Sequence, residues 1–237
     1  MVLYWILVAL GFVLLLWYIH EKCKAYTPKA VVLKSLVSAL FMMVGILVAY
    51  RIPPAIPVRP LAFFIVAGCV FGLLGDIFLD LKFVHRASET IYTYAGFCVF
   101  FTMHAIIMVG LIKYFGVVVN FWWTAIPILA GILIGVVNVL IGPAMKLDYT
   151  GYKEITVAYG SILMSAAALC LSYCIATGFK NPFMIIMLIG YVLFLASDLI
   201  LSQTYFAGKE GKFFLAANYA TYYSAMFIFA SASLHLV

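Results

Sequence analysis

The sequence predicts an all-α fold, a polytopic membrane bundle of eight transmembrane helices. The chain is 68% hydrophobic and 9% charged, with a mean hydropathy of +1.20, whereas a soluble domain carries about 25% charged residues. It also contains eight apolar runs near the ~20 residues that a spanning helix needs. Because backbone polar groups in lipid must be satisfied within their own segment, runs of this length cross the bilayer as helices.

The eight runs are joined by short connections that leave no room for a soluble domain. In chain order they are Val2–Ile19, Ala30–Ala49, Leu61–Leu79, Ile91–Ile112, Phe121–Ile141, Ile155–Thr177, Phe183–Leu201 and Phe213–Leu236. The first run lacks the basic start and the small-residue cleavage site of a signal peptide. We therefore expect one integral membrane domain over residues 1–237.

Loop charges predict the orientation. The loops after the first, third, fifth and seventh runs carry 9 Lys and Arg residues, and the other three loops carry 4. The positive-inside rule therefore places the odd loops in the cytoplasm and both termini outside. The net charge of +6 suits an anionic lipid surface rather than nucleic acid, because the chain has no basic cluster with interleaved aromatic residues. With no targeting signal apparent, we expect a bacterial inner membrane.

Two stretches of the chain share one pattern of proline, seven residues, glycine, seven residues and aspartate, 122 residues apart. They run through Pro60, Gly68 and Asp76, and through Pro182, Gly190 and Asp198. Proline is also favoured in any first helical turn, and glycine wherever two helices approach closely. The match of the third and seventh runs nevertheless predicts a parallel four-plus-four repeat, with halves 1–116 and 117–237.

Asp76 and Asp198 are the candidate catalytic residues. An ionisable group inside an apolar run is costly and marks a functional site by default. The alternative is that each aspartate caps a helix or pairs with a loop lysine at the headgroups. Asp80 lies one turn beyond Asp76 and nearer the loop, so we expect it at the interface.

Other polar residues within the runs are candidate supporting or substrate-binding groups. Lys34 could snorkel to the cytoplasmic surface, pair with an aspartate or bind a phosphate. His104 is expected to be hydrogen-bonded in the core or, near the carboxylates, to act as a proton donor or orienter. The remaining candidates are Ser197, the inward-facing donors Tyr159, Tyr222 and Tyr223, and two asparagines that could simply join helices, Asn138 and Asn218.

No cofactor and no metal are expected. The sequence lacks H-x-x-x-H, H-E-x-x-H and any Cys/His cluster, so a zinc site would need both aspartates and His104. It also lacks the G-x-S-x-G of serine hydrolases and a phosphate-binding glycine loop. The five cysteines show no C-x-x-C spacing, so a disulfide framework is not expected.

Six short motifs occur in order along almost the whole chain. They are Lys34 to Leu36, Gly75 to Leu79, Gly96 to His104, Ala158 to Gly160 with Met164, Leu193 to Leu201, and Thr221 to Ala225. Together they resemble the motifs of the YhhN-like lysoplasmalogenase family. Two positions depart from that pattern: Ser35 stands where proline is usual, and Met226 where a glutamine usually follows.

The resemblance implies an eight-helix membrane hydrolase that cleaves the vinyl ether bond of lysoplasmalogens to a fatty aldehyde and a glycerophospho-alcohol. The implied partners are a single-chain ether phospholipid and the surrounding membrane lipids, with the oligomeric state open. The residues suit this chemistry, because two carboxylates in different environments supply an acid and a negative charge. Which of Asp76 and Asp198 is the acid stays open at this point.

Two other functions remain open from the sequence. Parallel repeats with intramembrane carboxylates also build carriers, so the same aspartates could couple the transport of a small molecule to protons or cations. A lipid-binding or scaffolding protein without turnover is the third reading. The marked polar residues crowd the predicted cytoplasmic half, which favours a one-sided cavity and hence a hydrolase.

Overall fold

The computed structural model describes residues 1–24, 27–209 and 211–236. Within these ranges it is entirely helical, which confirms the predicted fold class. The eight α-helices are α1 Val2–Lys22, α2 Pro28–Arg51, α3 Arg59–Val84, α4 Glu89–Phe115, α5 Trp122–Leu140, α6 Lys153–Ala176, α7 Pro182–Tyr205 and α8 Lys212–Ala232.

Seven helices, α1 to α7, are long and apolar enough to cross a membrane, and the protein is therefore an integral multi-pass membrane protein. The eighth predicted span is not among them. Helix α8 carries Asn218, Thr221, Tyr222 and Tyr223 within its length, and these lower its average hydropathy. Asn218, Tyr222 and Tyr223 are buried, so α8 turns polar groups toward the bundle.

Two helix starts are set by local sequence. The side chain of Thr27 accepts a hydrogen bond from the Ala30 amide at 3.3 Å, and Asn181 accepts one from the Met184 amide at 3.1 Å. In each case a proline follows directly, Pro28 in α2 and Pro182 in α7. A hydroxyl or amide cap with proline in the first turn is a favoured helix beginning.

The helices form a ring of six with two outer helices. Around the ring, α2 packs on α3, α3 on α4, α4 on α6, α6 on α7, α7 on α8, and α8 on α2. Helix α1 packs outside against α2 and α8, and α5 packs outside against α6. If each helix is replaced by the helix four places away in the chain, every pair of neighbours in the ring becomes another pair of neighbours. This is the packing pattern expected of a four-plus-four repeat. The two halves themselves stay a prediction.

The two repeated glycines, Gly68 and Gly190, contact side chains that are related by the same 122-residue spacing. A Cβ atom at Gly68 would lie 2.7 Å from the Ile107 side chain, and one at Gly190 would lie 2.5 Å from the Phe229 ring. Both glycines thus allow a close approach of the next helix. Ile107 and Phe229 are themselves 122 residues apart, so the repeat spacing extends from the sequence into the packing of α3 on α4 and α7 on α8.

Helix α5 is attached to α6 by glycines and serine hydroxyls. Gly131 and Gly135 face Ser165 and Ser161 so closely that a Cβ at Gly131 would lie 2.2 Å from the Ser165 amide nitrogen. Pro127 inside α5 cannot donate to the carbonyl four residues earlier. The Ser172 hydroxyl donates to that carbonyl, on Trp123, at 2.6 Å, which satisfies it as lipid surroundings require.

Candidate active site

Asp76 and Asp198 line one cavity inside the ring of helices. The cavity encloses about 480 Å³ and lies in the half of the bundle where α3 and α7 end. Half of its lining residues are aromatic, and these are Phe97, Phe100, Tyr159, Phe194, Tyr205, Tyr219 and Tyr222. The structure therefore brings the two repeated aspartates to one space, which we call the site cavity.

Asp76 is held by three side chains. Its Oδ1 atom lies 3.1 Å from the Lys34 ammonium, and its Oδ2 atom accepts hydrogen bonds from Ser38 at 2.6 Å and from Tyr222 at 2.8 Å. Lys34 and Ser38 lie one turn apart on α2, so both reach the same carboxylate. The Asp76 side chain is 2% exposed, so these neighbours take the place of water around its carboxylate.

Asp80 is part of the same buried network, and its place at the membrane interface stays a prediction. Its carboxylate is 2.9 Å from the Lys22 ammonium and 3.4 Å from that of Lys34, and it accepts from the Tyr18 hydroxyl at 3.2 Å. Helix α1 supplies Tyr18 and Lys22 to Asp80 from successive turns.

Lys22, Asp80, Lys34 and Asp76 thus form a line of alternating charges, which we call the charge row. All four residues are buried. The snorkelling interpretation of Lys34 is therefore wrong, and its pairing with the aspartates is what the structure shows. A buried charge loses its hydration, and breaking one partner of such a set is strongly destabilising.

Asp198 has a different environment. The Tyr159 hydroxyl on α6 donates to its Oδ2 atom at 2.5 Å, and in the described parts of the chain no cation lies within ion-pair distance. Its side chain is only partly buried, because it lines the site cavity and a neighbouring groove. Asp198 is partly exposed and has one partner, the Tyr159 hydroxyl. Asp76 is buried and has three partners, one ammonium and two hydroxyls.

The other candidate polar residues separate into donors and helix links. Tyr222 and Tyr159 are inward-facing donors to the two aspartates, as predicted. Tyr223 is buried, but its hydroxyl lies 3.1 Å from that of Ser38 and contacts no aspartate oxygen. Asn218 donates to the Ser197 carbonyl and hydroxyl at 2.8 and 2.9 Å, so it links α8 to α7 while both residues line the site cavity.

The surroundings of His104 differ from both predictions, which were a hydrogen-bonded core histidine and a group beside the carboxylates. The side chain is fully buried, yet neither ring nitrogen has a hydrogen-bond partner among the residues that the structure describes. Aromatic rings surround it, with centroids at 4.8 Å for Phe194, 5.7 Å for Tyr191 and 6.0 Å for Tyr159. It is absent from the site cavity lining, because α4 turns it toward rings of α6 and α7 instead of the carboxylates.

Three members of the network are new relative to the sequence analysis: Tyr18, Lys22 and Ser38. A signal for them exists in the sequence, because each helix places two polar residues four positions apart. The pairs are Tyr18 and Lys22 on α1, Lys34 and Ser38 on α2, and Asp76 and Asp80 on α3. Residues four apart share a helix face, so three polar faces at one end of adjacent helices indicate a shared network.

An apolar groove joins the site cavity on the side of α5, α6 and α7. It encloses about 770 Å³, and Phe97, Tyr159 and Asp198 line both spaces. Most of its other walls are aliphatic or aromatic. Tyr149, from the α5–α6 connection, closes one part of the groove, and burial raises the pKa of its hydroxyl, which therefore stays protonated and uncharged at neutral pH.

Among the described residues, no three His, Cys, Asp or Glu side chains come together as metal ligands. The zinc alternative needed Asp76, Asp198 and His104 around one ion. His104 faces aromatic rings instead, so the set that the alternative required is not assembled.

These features define the class: a multi-pass helical membrane protein with two aspartates lining a cavity inside the bundle, one of them, Asp76, buried and ion-paired. The chain belongs to the YhhN family, the family of lysoplasmalogenases, which it matches over residues 30–233. Family and spanning helices together assign it to the membrane enzymes of that family. No curated protein and no solved structure matches the chain. Helix α1 precedes the matched range, although it supplies Tyr18 and Lys22 to the charge network.

Proposed function

We propose that the protein hydrolyses the vinyl ether bond of a lysoplasmalogen and releases a fatty aldehyde and a glycerophospho-alcohol. The observation that carries this proposal is a single cavity that is lined by two aspartates in different environments and that adjoins an apolar groove. Membership of the YhhN family supports it.

Enol ether hydrolysis makes two demands on a site. A proton must be added to the β-carbon of the double bond, which creates an oxocarbenium-like cation, and a negative charge must stabilise that cation. Glycoside hydrolases meet similar demands with two carboxyl groups whose surroundings give them different protonation states.

Asp198 is the proton donor in this proposal. A carboxylate without a cationic partner is costly in an apolar, membrane-embedded site, so Asp198 holds its proton. The Tyr159 hydroxyl bonds one of its oxygens and orients the group, which leaves the second oxygen to deliver the proton. Its exposure to the groove lets the substrate reach it.

Asp76 is the ionised partner. Lys34, Ser38 and Tyr222 compensate its charge in the folded protein, and such compensation keeps a buried carboxylate ionised. It stabilises the cation that forms beside it and orients the attacking water. Lys34 acts through Asp76 and is a positioning residue.

The steps balance as follows. The Asp198 proton moves to the β-carbon, and the double-bond electrons form the new C–H bond. Water then adds to the adjacent carbon and loses a proton to a carboxylate, which gives a hemiacetal. The hemiacetal C–O bond breaks as the glycerol oxygen takes a proton and the hydroxyl loses one, which leaves aldehyde, alcohol and a protonated Asp198. One water is consumed.

The test is aldehyde release by purified protein from a lysoplasmalogen, beside an ordinary ester lysophospholipid, with and without a chelator. Aldehyde from the vinyl ether alone, unaffected by chelator, is the expected result. Fatty acid from the ester, or activity lost with the chelator, would point to a different lipid hydrolase.

A carrier with the same aspartates would need polar access from both membrane faces. The buried charged residues of the described chain, Lys22, Lys34, Asp76, Asp80 and Lys82, all lie toward the end where α3 finishes, which favours a one-sided site. With the odd loops in the cytoplasm, that end faces the cytoplasm. Uptake driven by a pH gradient in proteoliposomes, without aldehyde release, would favour the carrier and overturn the hydrolase.

A further inference from the structure

A second space with a different chemistry opens beside the site cavity. It encloses about 1130 Å³ at the ends of α1, α3 and α7 and the start of α8. Its lining combines aromatic side chains with four lysines, Lys22, Lys24, Lys209 and Lys212. We call it the basic cleft.

The basic cleft adjoins the site cavity and the apolar groove. Tyr219 and Asn218 line both the cleft and the cavity, and Leu201 and Tyr205 line all three spaces. The three spaces therefore meet on the last turns of α7. A ligand that spans them would place an apolar chain in the groove, a reactive bond beside the aspartates and a polar head in the cleft.

The charge of the basic cleft is positive. Lys22 is paired with Asp80, and Lys24 lies 3.5 Å from Glu21 at the surface. For Lys209 and Lys212, the described part of the chain offers no carboxylate within ion-pair distance. Lys212 also begins α8, whose amino-terminal dipole favours an anion there.

We propose that the basic cleft binds the phosphate of the lipid headgroup, with Lys209 and Lys212 as its contacts. This inference rests on the proposed function and adds the feature by which the substrate is selected. The described lining contains no acidic side chain to pair with a headgroup ammonium. In this proposal the recognised group is the phosphate ester, which ethanolamine and choline headgroups share.

Binding of non-hydrolysable analogues tests the proposal without turnover. The probes are a 1-alkyl-glycerophosphoethanolamine and the phosphate-free 1-alkyl-glycerol of equal chain length, measured in neutral detergent. The wild-type protein should prefer the phosphate-bearing probe. The double variant Lys209→Gln with Lys212→Gln should lose about tenfold of that preference, because two charged contacts are removed, while its affinity for the alkyl-glycerol stays unchanged.

The matched control removes two charges from the same end of the bundle but outside the basic cleft. Lys146 and Lys153 line a separate depression beside the α5–α6 connection, so Lys146→Gln with Lys153→Gln should leave the preference intact. Equal loss in both double variants would show a general surface-charge effect and overturn the proposal, as would no loss in the Lys209 and Lys212 variant. Lys22 is unsuitable for this test, because it also holds Asp80.

Two further arms distinguish the source of the phosphate and the role of the ammonium. Inorganic phosphate should compete only weakly, and binding as tight as that of the lipid would assign the cleft to a free ion and overturn the lipid proposal. The choline and ethanolamine analogues should bind within about twofold of each other, and a strong preference would contradict recognition by phosphate alone. Selective binding of the phosphate-bearing probe without any aldehyde release would contradict the proposed reaction while supporting the phosphate site.

Discussion

The surroundings of Asp76 and Asp198 differ far more than their sequence segments do. Both aspartates stand at the same position of the repeated pattern, yet Asp76 has a cation and two hydroxyl donors, while Asp198 has one hydroxyl donor. In the 122-residue register, Phe100 corresponds to Tyr222 and Ser202 to Asp80. The two segments thus place a carboxylate at equivalent positions, and unequal residues on the helices around them give the two carboxylates different partners.

The largest effects expected are on turnover. Asp76→Asn and Asp198→Asn should each reduce aldehyde release by at least about 10³-fold, since each removes a group that transfers a proton or stabilises the cation. Both variants should remain extractable as folded protein. Retention of most activity in either one would remove the two-aspartate mechanism.

Stability should separate the same two variants. Asp76→Asn leaves the charge row with two lysines and one aspartate, and we expect it to lower the free energy of unfolding by about 3 kcal/mol. Asp198→Asn keeps an acceptor for Tyr159 and should change the free energy of unfolding by less than about 1 kcal/mol. Thermal unfolding in detergent checks this, and equal losses would show that the two environments are energetically alike.

Lys34→Met should destabilise the protein by about 3–5 kcal/mol, because Asp76 then loses its ion-pair partner and the charge row keeps two aspartates and one lysine. The companion variant Lys34→Met with Asp76→Asn removes one charge of each sign, leaves the Lys22–Asp80 ion pair intact and should recover part of that loss. Thermal unfolding of the two variants side by side measures the recovery. A double variant no more stable than the single one would show that packing, and not charge balance, determines the role of Lys34.

The hydroxyl donors allow a smaller and finer comparison. Tyr159→Phe removes the one hydroxyl partner found for Asp198 among the described residues and should slow turnover about 10-fold to 100-fold, whereas Tyr222→Phe removes one of three partners of Asp76 and should slow it about 10-fold or less. Initial rates at saturating substrate give both values. The reverse order would exchange the roles assigned to the two aspartates.

Ser38→Ala should give the smallest effect, a loss of about 1–2 kcal/mol in the free energy of unfolding. The lost group donates at 2.6 Å to a buried carboxylate, but Lys34 and Tyr222 remain. Ser197→Ala is the matched change near Asp198 and removes only an acceptor for Asn218. It should cost less, which thermal unfolding can verify.

Much of the fold was readable from the sequence, because apolar length is set directly by the bilayer. The helices extend beyond the predicted runs where charged residues continue them, as Lys82 does in α3, which was expected to stop at Leu79 and ends at Val84. The repeat was sufficient to bring Asp76 and Asp198 to one cavity. The apolar runs alone did not predict which helices pack side by side in the ring.

That order explains what the sequence analysis missed. Helix α1 was treated only as a span, yet its position against α2 and α8 brings Tyr18 and Lys22 onto Asp80. His104 looked like a site residue because it is polar in an apolar run. Its rotation toward Tyr191 and Phe194 depends on helix packing, which no local pattern specifies.

The distribution of the charge row along the chain also bears on how the protein is made. Its two lysines lie on α1 and α2, and both of its aspartates lie on α3. The α1–α2 hairpin leaves the ribosome before α3 and carries these two cations ahead of the aspartates that pair with them, and uncompensated charge is excluded from hydrocarbon. The first three helices should enter the bilayer as one neutral group, whereas α7, whose Asp198 holds its proton in the proposed mechanism, can insert without waiting for a counter-charge.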